Sequence, residues 1–173
     1  RKDAIDASID ASDSIVAASG GVWQFATAQM RPVRRRAVSF GYNGYIYSLA
    51  GYSGTASLQD LLFAKINVST GDIATFDSSG VVVTPRWDLR AIVSNGYVYA
   101  IGGCGAGAAP SSCTSMQAEV QTFQLYNNDS GTPVNYAASA NQFNTDRMGA
   151  SSTIMNGYLY VAGGCTDTTD CGA

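Results

Sequence analysis

Three copies of one spaced pattern constrain the fold of this chain more than any other feature. In each copy an arginine precedes the glycine of an Asn-Gly pair by ten residues, and a closing glycine follows that glycine by seven. A tyrosine lies three residues after each Asn-Gly pair. The copies share these positions: Arg34, Gly44, Tyr47 and Gly51; Arg86, Gly96, Tyr99 and Gly103; and Arg147, Gly157, Tyr160 and Gly164. Identical spacing in three places indicates a structural repeat.

Each Asn-Gly pair predicts a tight β-hairpin. A type I′ turn needs positive φ at both central residues, which Asn tolerates and Gly adopts freely. The first two copies also contain a second Asn-to-Gly turn, at 67–71 and 127–131, between strand-like runs. Each complete copy therefore has four predicted strands, and four strands in roughly 50 residues is typical of a β-propeller blade.

The pattern resembles the kelch repeat, in which Trp, Met-Pro and Arg precede a strand and then Asn-Gly-x-Ile-Tyr-x-x-Gly-Gly. The first copy departs from it, with Ala50 in the double glycine and Arg31-Pro32 at the Met-Pro junction. The resemblance covers about residues 23 to 165 and implies an all-β, kelch-type β-propeller segment of four-stranded antiparallel blades. The further matching residues are Trp23, Met30, Arg34, Gly102-Gly103 and Gly163-Gly164.

The resemblance also divides the chain into parts. Two full blades and parts of two others make an incomplete ring, because closed propellers typically have four to eight blades. We expect the missing blades to come from the same longer chain or, alternatively, from other subunits that pair with open strand edges. The predicted parts are 1–22, a linker or the edge of a preceding blade; 23–33, the last strand of that blade; 34–85 and 86–146, two blades; and 147–173, the first hairpin of a further blade.

The four cysteines form two pairs at equivalent places. Cys104 and Cys113 flank a loop rich in Gly, Ala and Ser, while Cys165 and Cys171 flank a loop of Thr and Asp. Both pairs begin directly after a closing glycine, so we expect two local disulfides and an extracellular or cell-surface location. Free thiols and a zinc site are the alternatives, although the chain has no histidine to bind zinc.

The irregular repeat length marks a variable loop between the second and third strands. The arginines are 52 residues apart in the first repeat and 61 in the second, and most of the extra residues follow Gly103. In an antiparallel meander this loop emerges on the same face as the connectors between blades, and such loops usually carry binding residues. Stabilised surface loops without a ligand are the alternative. The candidate binding residues are Tyr52, Ser53, Pro110, Ser111, Asp167 and Asp170.

Charge and composition argue against several activities. A net charge of −3 disfavours nucleic-acid binding, and the basic run at 31–36 straddles a blade junction. One arginine per repeat is part of the kelch pattern, so we expect Arg34, Arg86 and Arg147 to be paired structurally and not to form a carboxylate-binding triad. The absence of histidine removes the usual copper ligands. No catalytic residue, cofactor or metal site is predicted.

The sequence therefore predicts a non-catalytic binding or adhesion module, part of a larger secreted or cell-surface kelch-repeat protein. A protein or glycan ligand is expected, with no nucleic acid and no membrane span. One alternative is a fragment of a propeller oxidase or glycosidase whose catalytic groups lie outside this segment. Another is a self-assembling subunit joined through open blade edges. We also predict that Tyr47, Tyr99 and Tyr160 are equivalent half-buried residues between neighbouring blades.

Overall fold

The computed structural model is an all-β arrangement of antiparallel sheets, and no helix occurs among the residues that it describes. Its larger sheets have four strands each, as expected for part of a β-propeller. The described residues are 16–19, 22–26, 28–81, 83–106, 112–125 and 130–167.

In the first two sheets, strands that are neighbours in the sheet are also consecutive in the chain. A hairpin comes first, formed by β1 (Val16–Ser19) and β2 (Val22–Phe25). A four-stranded meander comes next, and it lies within the range predicted for the first complete blade. Its strands are β3 (Val38–Tyr42), β4 (Tyr45–Tyr52), β5 (Ser57–Lys65) and β6 (Asp77–Val81).

The second meander carries an insertion between its second and third strands. A small hairpin leaves the sheet after its second strand and returns to its third, and it forms a separate two-stranded sheet, so the meander keeps four strands. A last hairpin follows. The strands are β7 (Arg90–Ser94), β8 (Tyr97–Ile101), β9 (Cys104–Ala106), β10 (Ser115–Met116), β11 (Glu119–Leu125), β12 (Pro133–Gln142), β13 (Ser151–Met155) and β14 (Tyr158–Ala162).

The predicted Asn-Gly hairpins are confirmed by their backbone angles. Asn43, Asn95 and Asn156 have φ values of 46°, 50° and 52°, and the glycine after each also has positive φ. These angles match the twist that a two-residue hairpin needs. The turns join β3 to β4, β7 to β8 and β13 to β14, so each repeat begins with the same hairpin.

The main core fills the space between the two four-stranded sheets. The sheets contribute opposite faces to it, because side chains alternate along a strand. Tyr45, Tyr47 and Leu49 of β4 point towards the second sheet, which contributes Val98 and Phe123 among others. Burying each of these large side chains stabilises the fold by about 1.5–3 kcal/mol. The core therefore holds one blade against the next.

The three repeat tyrosines differ in burial, which corrects the prediction that all are half-buried. Tyr47 is 1% exposed, Tyr99 is half-buried and Tyr160 is 51% exposed. They occupy the same position in their hairpins, but only Tyr47 faces a complete neighbouring sheet. The burial of the tyrosine at this repeat position therefore depends on whether a complete blade packs against it.

Candidate functional site

The repeated arginines hold the ends of the second strands. In each repeat the Nη1 atom donates a hydrogen bond to the carbonyl of the residue before the closing glycine. The three pairs are Arg34 with Ala50 (3.1 Å), Arg86 with Gly102 (3.1 Å) and Arg147 with Gly163 (2.8 Å). The same contact in three repeats supports a structural role for these arginines.

Two of the arginines also pair with an acid on the third strand of their own blade. Arg34 Nη2 lies 2.8 Å from Asp60 Oδ2, and Arg86 Nη2 pairs with Glu119. Burial lowers the pKa of the Arg86 guanidinium, and the hydrogen bond and charge of Glu119 partly offset that effect. Because each carboxylate accepts from an arginine, these groups do not form the converging arginine set that a carboxylate ligand would need.

The acids that pair with Arg34 and Arg86 were not predicted from the sequence, although their positions relative to the Asn-Gly turns could have identified them. Asp60 lies six residues before Ile66, and Glu119 lies six residues before Leu125. The N–H groups of Ile66 and Leu125 donate to the glycine carbonyls of their Asn-Gly turns. Because Asp60 and Glu119 each lie six residues before the residue that binds the turn glycine, the two acids occupy equivalent positions in their blades.

The connectors between blades and the loops after the second strands meet on one face, here called the loop face. Isolated antiparallel bridges join Arg35 to Tyr52, Trp87 to Cys104, and Met148 to Cys165. In each bridge the first residue belongs to a connector and the second follows a closing glycine. The loop face is thus built from the same pair of segments in each repeat.

A buried cluster supports the loop face from below. The rings of Tyr52 and Trp87 meet edge to face, with centroids 6.4 Å apart. Tyr52 was a candidate ligand-binding residue, but its side chain is buried, so it supports the face and does not present its ring to solvent. The cluster consists of Tyr52, Trp87, Cys104, Cys113, Met116 and Met148, with Cys165 packed against it.

The disulfide predicted between Cys104 and Cys113 is confirmed, with the two Cα atoms 5.8 Å apart. It closes the inserted loop, whose strands β9 and β10 pair with each other. Cys165 forms no disulfide with a described residue, and Cys171 lies outside the described residues. The second pairing therefore stays a prediction.

The other candidate binding residues are placed as follows. Ser53 is half-buried in a tight turn, where its Oγ accepts from the N–H groups of Thr55 (3.3 Å) and Ala56 (3.1 Å). Asp167 is exposed. Pro110, Ser111 and Asp170 lie outside the described residues.

Two exposed arginines of a connector lie over aromatic rings of the loop face. The Arg35 guanidinium is 5.5 Å from the Tyr52 ring centroid, and the Arg36 guanidinium is 5.1 Å from that of Trp87. Arg36 also pairs with Asp88 at 2.5 Å. Cation–π contacts of this kind fix the direction of a guanidinium. The basic run at 31–36 therefore contributes oriented cations to the loop face, which its sequence alone did not indicate.

A surface depression of about 390 Å³ lies where the first complete blade meets the connector to the second. Pro32, Ser57, Asp60 and Pro85 are among the residues that line it. Asp60 Oδ1 is buried and has no hydrogen-bond partner among the described residues.

Within the same described part of the chain, no three His, Cys, Asp or Glu side chains converge as metal ligands. No described helix has the length and apolar character needed to cross a membrane.

Known proteins match this chain in fold and not in sequence. No model of a known protein family matches it, and no curated protein matches either. Among solved structures it is similar to that of YjhT, a β-propeller protein, with a TM-score of 0.63 and 16% sequence identity. The match covers 83% of this chain and 47% of the YjhT chain. At this identity the likeness shows a β-propeller-like fold, and this chain spans about half the length of YjhT.

The confirmed disulfide should contribute measurably to stability. We expect the Cys104→Ser/Cys113→Ser variant to lose about 2–3 kcal/mol of unfolding free energy, because the crosslink restricts the unfolded chain over a short loop. Urea unfolding measures the loss, with the Cys165→Ser variant as the single-cysteine control. Mass spectrometry of unreduced peptides should find Cys104 joined to Cys113, and joined to neither Cys165 nor Cys171.

Proposed function

We propose that this chain is a non-catalytic binding module of a kelch-type β-propeller and that the loop face is its recognition surface. The observation that carries the proposal is the meeting of connectors and the disulfide-closed hairpin on one face above a buried cluster. Loops held by a rigid scaffold are the usual place for binding residues in such folds.

The chemistry of the loop face favours a ligand that carries carboxylates or hydroxyl groups. Arg35 and Arg36 are exposed, and the aromatic rings beneath them fix their direction. Arg36 also pairs with Asp88, whereas Arg35 has no acid partner among the described residues and is the cation available to a ligand. Guanidinium groups form strong, directional hydrogen bonds with carboxylates. An acidic glycan or an acidic protein segment is therefore the ligand class that we propose.

The absence of catalysis is also part of the proposal. Asp60 and Glu119, the acids nearest the repeat arginines, accept from those arginines and are not arranged as a free acid and base. General acid–base catalysis by a carboxyl group requires that group to lie within reach of a substrate proton. The structural use of these acids supports a binding role over a hydrolytic one.

We further propose an extracellular or cell-surface location and membership of the kelch group. A disulfide such as Cys104–Cys113 is typical of proteins from oxidising compartments. The kelch proposal rests on three equal spacings of Arg, Asn-Gly and closing glycine, and on the arginine-to-carbonyl contact that recurs with them.

Binding to immobilised ligands tests the recognition surface. We expect the protein to bind members of an array of acidic and neutral glycans, or of acidic peptides, and the Arg35→Ser/Arg36→Ser variant to lose at least about tenfold in affinity, a change of about 1.4 kcal/mol. Lys65→Ser, an exposed cation beside the turn that joins β5 and β6, is the matched control and should bind normally. Equal binding by all three proteins would show that the loop face is not the recognition surface.

A further inference from the structure

The turn between β5 and β6 carries a motif that the proposed binding role does not use. Asn67, Val68 and Ser69 form an Asn-x-Ser sequence in which x is not proline. This is the acceptor sequence for N-linked glycans in secreted proteins. A second such sequence begins at Asn128, which lies outside the described residues. Asn67 is therefore the acceptor whose surroundings the fold defines.

The Asn67 side chain holds the turn through its oxygen and leaves its nitrogen free. Asn67 Oδ1 accepts from the N–H groups of Ser69 (3.0 Å) and Thr70 (3.3 Å). Because both donors are backbone N–H groups, the orientation of the amide is fixed. Neither Asn67 Nδ2 nor the Ser69 hydroxyl has a hydrogen-bond partner among the described residues. The fold thus uses the half of the amide that a glycan leaves untouched.

The surroundings of Asn67 have room for a sugar. Asn67, Val68 and Ser69 are all exposed, and Val68 is 88% exposed although its side chain is apolar. A surface depression of about 420 Å³ adjoins Asn67 on the side of Ile66 and Ile73. A glycan at Asn67 therefore displaces no core side chain, and it shields the exposed Val68 from water.

The turn lies far from the loop face. The Ile66 N–H donates to the Gly44 carbonyl at 2.8 Å, so the turn is beside the first Asn-Gly turn. From that Asn-Gly turn, β4 runs eight residues to Tyr52 beneath the loop face. A strand of this length spans roughly 20 Å. A glycan at Asn67 therefore leaves Arg35 accessible to a ligand.

We propose that Asn67 carries an N-linked glycan, an inference that rests on the extracellular location proposed above. In this modification Asn67 Nδ2 forms a bond to the anomeric carbon of an oligosaccharide, and the bond between that carbon and the diphosphate of a lipid-linked donor breaks. The lipid diphosphate leaves, and the proton lost from Nδ2 passes to a base of the transferase. The step needs no oxidant or reductant.

The composition of the chain gives the glycan a role in solubility. Only 13% of the residues are charged, about half of the usual share of about 25%. N-linked glycans are bulky, polar surface groups that increase solubility. A glycan on the exposed turn thus supplies polar surface that the side chains of this protein supply sparingly.

Mass spectrometry of the protein isolated from its natural source tests the proposal. The peptide that contains Asn67 should carry a glycan. Peptide:N-glycosidase in heavy-oxygen water should release that glycan and leave a labelled aspartate at position 67. The same measurement applies to variants of the full chain that are secreted from cultured eukaryotic cells.

Three variants separate the motif from the structure of the turn. Ser69→Ala should lose the glycan at Asn67, whereas Ser69→Thr should keep it, because threonine also completes the acceptor sequence. Asn67→Asp should lose the glycan and keep the oxygen that accepts from Ser69 and Thr70. Circular dichroism of all three should match that of the parent protein, since the substituted side chains are exposed.

The state of the cysteines distinguishes failure of this proposal from failure of the extracellular location. An unmodified Asn67 in natural protein whose Cys104–Cys113 disulfide is formed would overturn the glycan and leave the location standing. An unmodified Asn67 together with reduced Cys104 and Cys113 would overturn both. A glycan that persists at position 67 in Ser69→Ala would show that the Asn-x-Ser motif does not direct the modification, which also overturns the proposal.

Discussion

The Arg86→Met variant is expected to lose about 3 kcal/mol of unfolding free energy, because the substitution removes one partner of a buried ion pair. Arg86 is fully buried and donates to the carbonyls of Thr84 and Gly102 at 3.1 Å each, besides its pairing with Glu119. Methionine fills part of the volume but leaves the carbonyl of the buried Gly102 and the partly buried Glu119 carboxylate without this donor, and an unsatisfied buried group costs more than a hydrogen bond contributes. Urea denaturation measures the loss.

Arg147→Met is the matched control for this prediction. It removes the same repeat arginine from a site where the side chain donates to the Gly163 carbonyl and contacts the Phe143 ring, with no acid partner among the described residues. We expect a loss of about 1 kcal/mol or less. The Arg86→Met/Glu119→Leu double variant should recover part of the stability, since replacing both members of a buried pair by apolar residues is often neutral. Equal losses for Arg86→Met and Arg147→Met would contradict the structural account of the ion pair.

The Tyr47→Ala variant should lose about 3–5 kcal/mol, as do other substitutions that remove a buried aromatic ring. The Tyr47 ring stacks on Phe40 with centroids 5.1 Å apart and lies in the core between the blades. Its hydroxyl donates to the Gly131 carbonyl of the next blade at 3.0 Å. Tyr47→Phe isolates this hydrogen bond, with an expected loss of about 1 kcal/mol. The exposed Val68→Ala is the control, and a Tyr47→Ala loss as small as that of the control would mean that the blades do not pack as described.

Tyr47 should also make stability depend on pH in alkaline solution. Burial, with smaller contributions from Tyr45 and Tyr42, raises the pKa of Tyr47 to about 12 from the ordinary value of 10.0. Below pH 10 both the folded and the unfolded states keep the proton, so this contribution is fully present. Between pH 10 and 12 only the unfolded state loses it, and stability falls by up to about 1.4 kcal/mol per pH unit. Tyr47→Phe should show a shallower decline over the same range, and identical slopes would refute this origin.

The predictions for Arg86 and Tyr47 concern a different part of the molecule from the loop face. The substitutions at Arg86 and Tyr47 act on contacts within and between blades, whereas Arg35 and Arg36 are exposed on a connector. Losses of stability and losses of ligand binding should therefore separate. Correct folding with lost binding is the result expected only for the loop-face variants.

Local spacing in the sequence was enough to predict the hairpins and the repeat. Positive φ at Asn43, Asn95 and Asn156 follows from the turn chemistry of Asn-Gly, which depends only on neighbouring residues. The Cys104–Cys113 disulfide also followed from local placement, since both residues flank one short loop. The shared face of connectors and loops followed from the up-and-down order of an antiparallel meander.

Burial and pairing were decided only by the tertiary structure. Tyr47 and Tyr160 have the same sequence context, yet one is buried and the other exposed, because a complete sheet covers only the first. Tyr52 lies beneath the loop face because Trp87 of the next connector packs against it. The partners of Arg34 and Arg86 come from strands 26 and 33 residues away. Sequence spacing fixes the turns of each repeat, but contacts between strands and between blades depend on how the sheets meet in space.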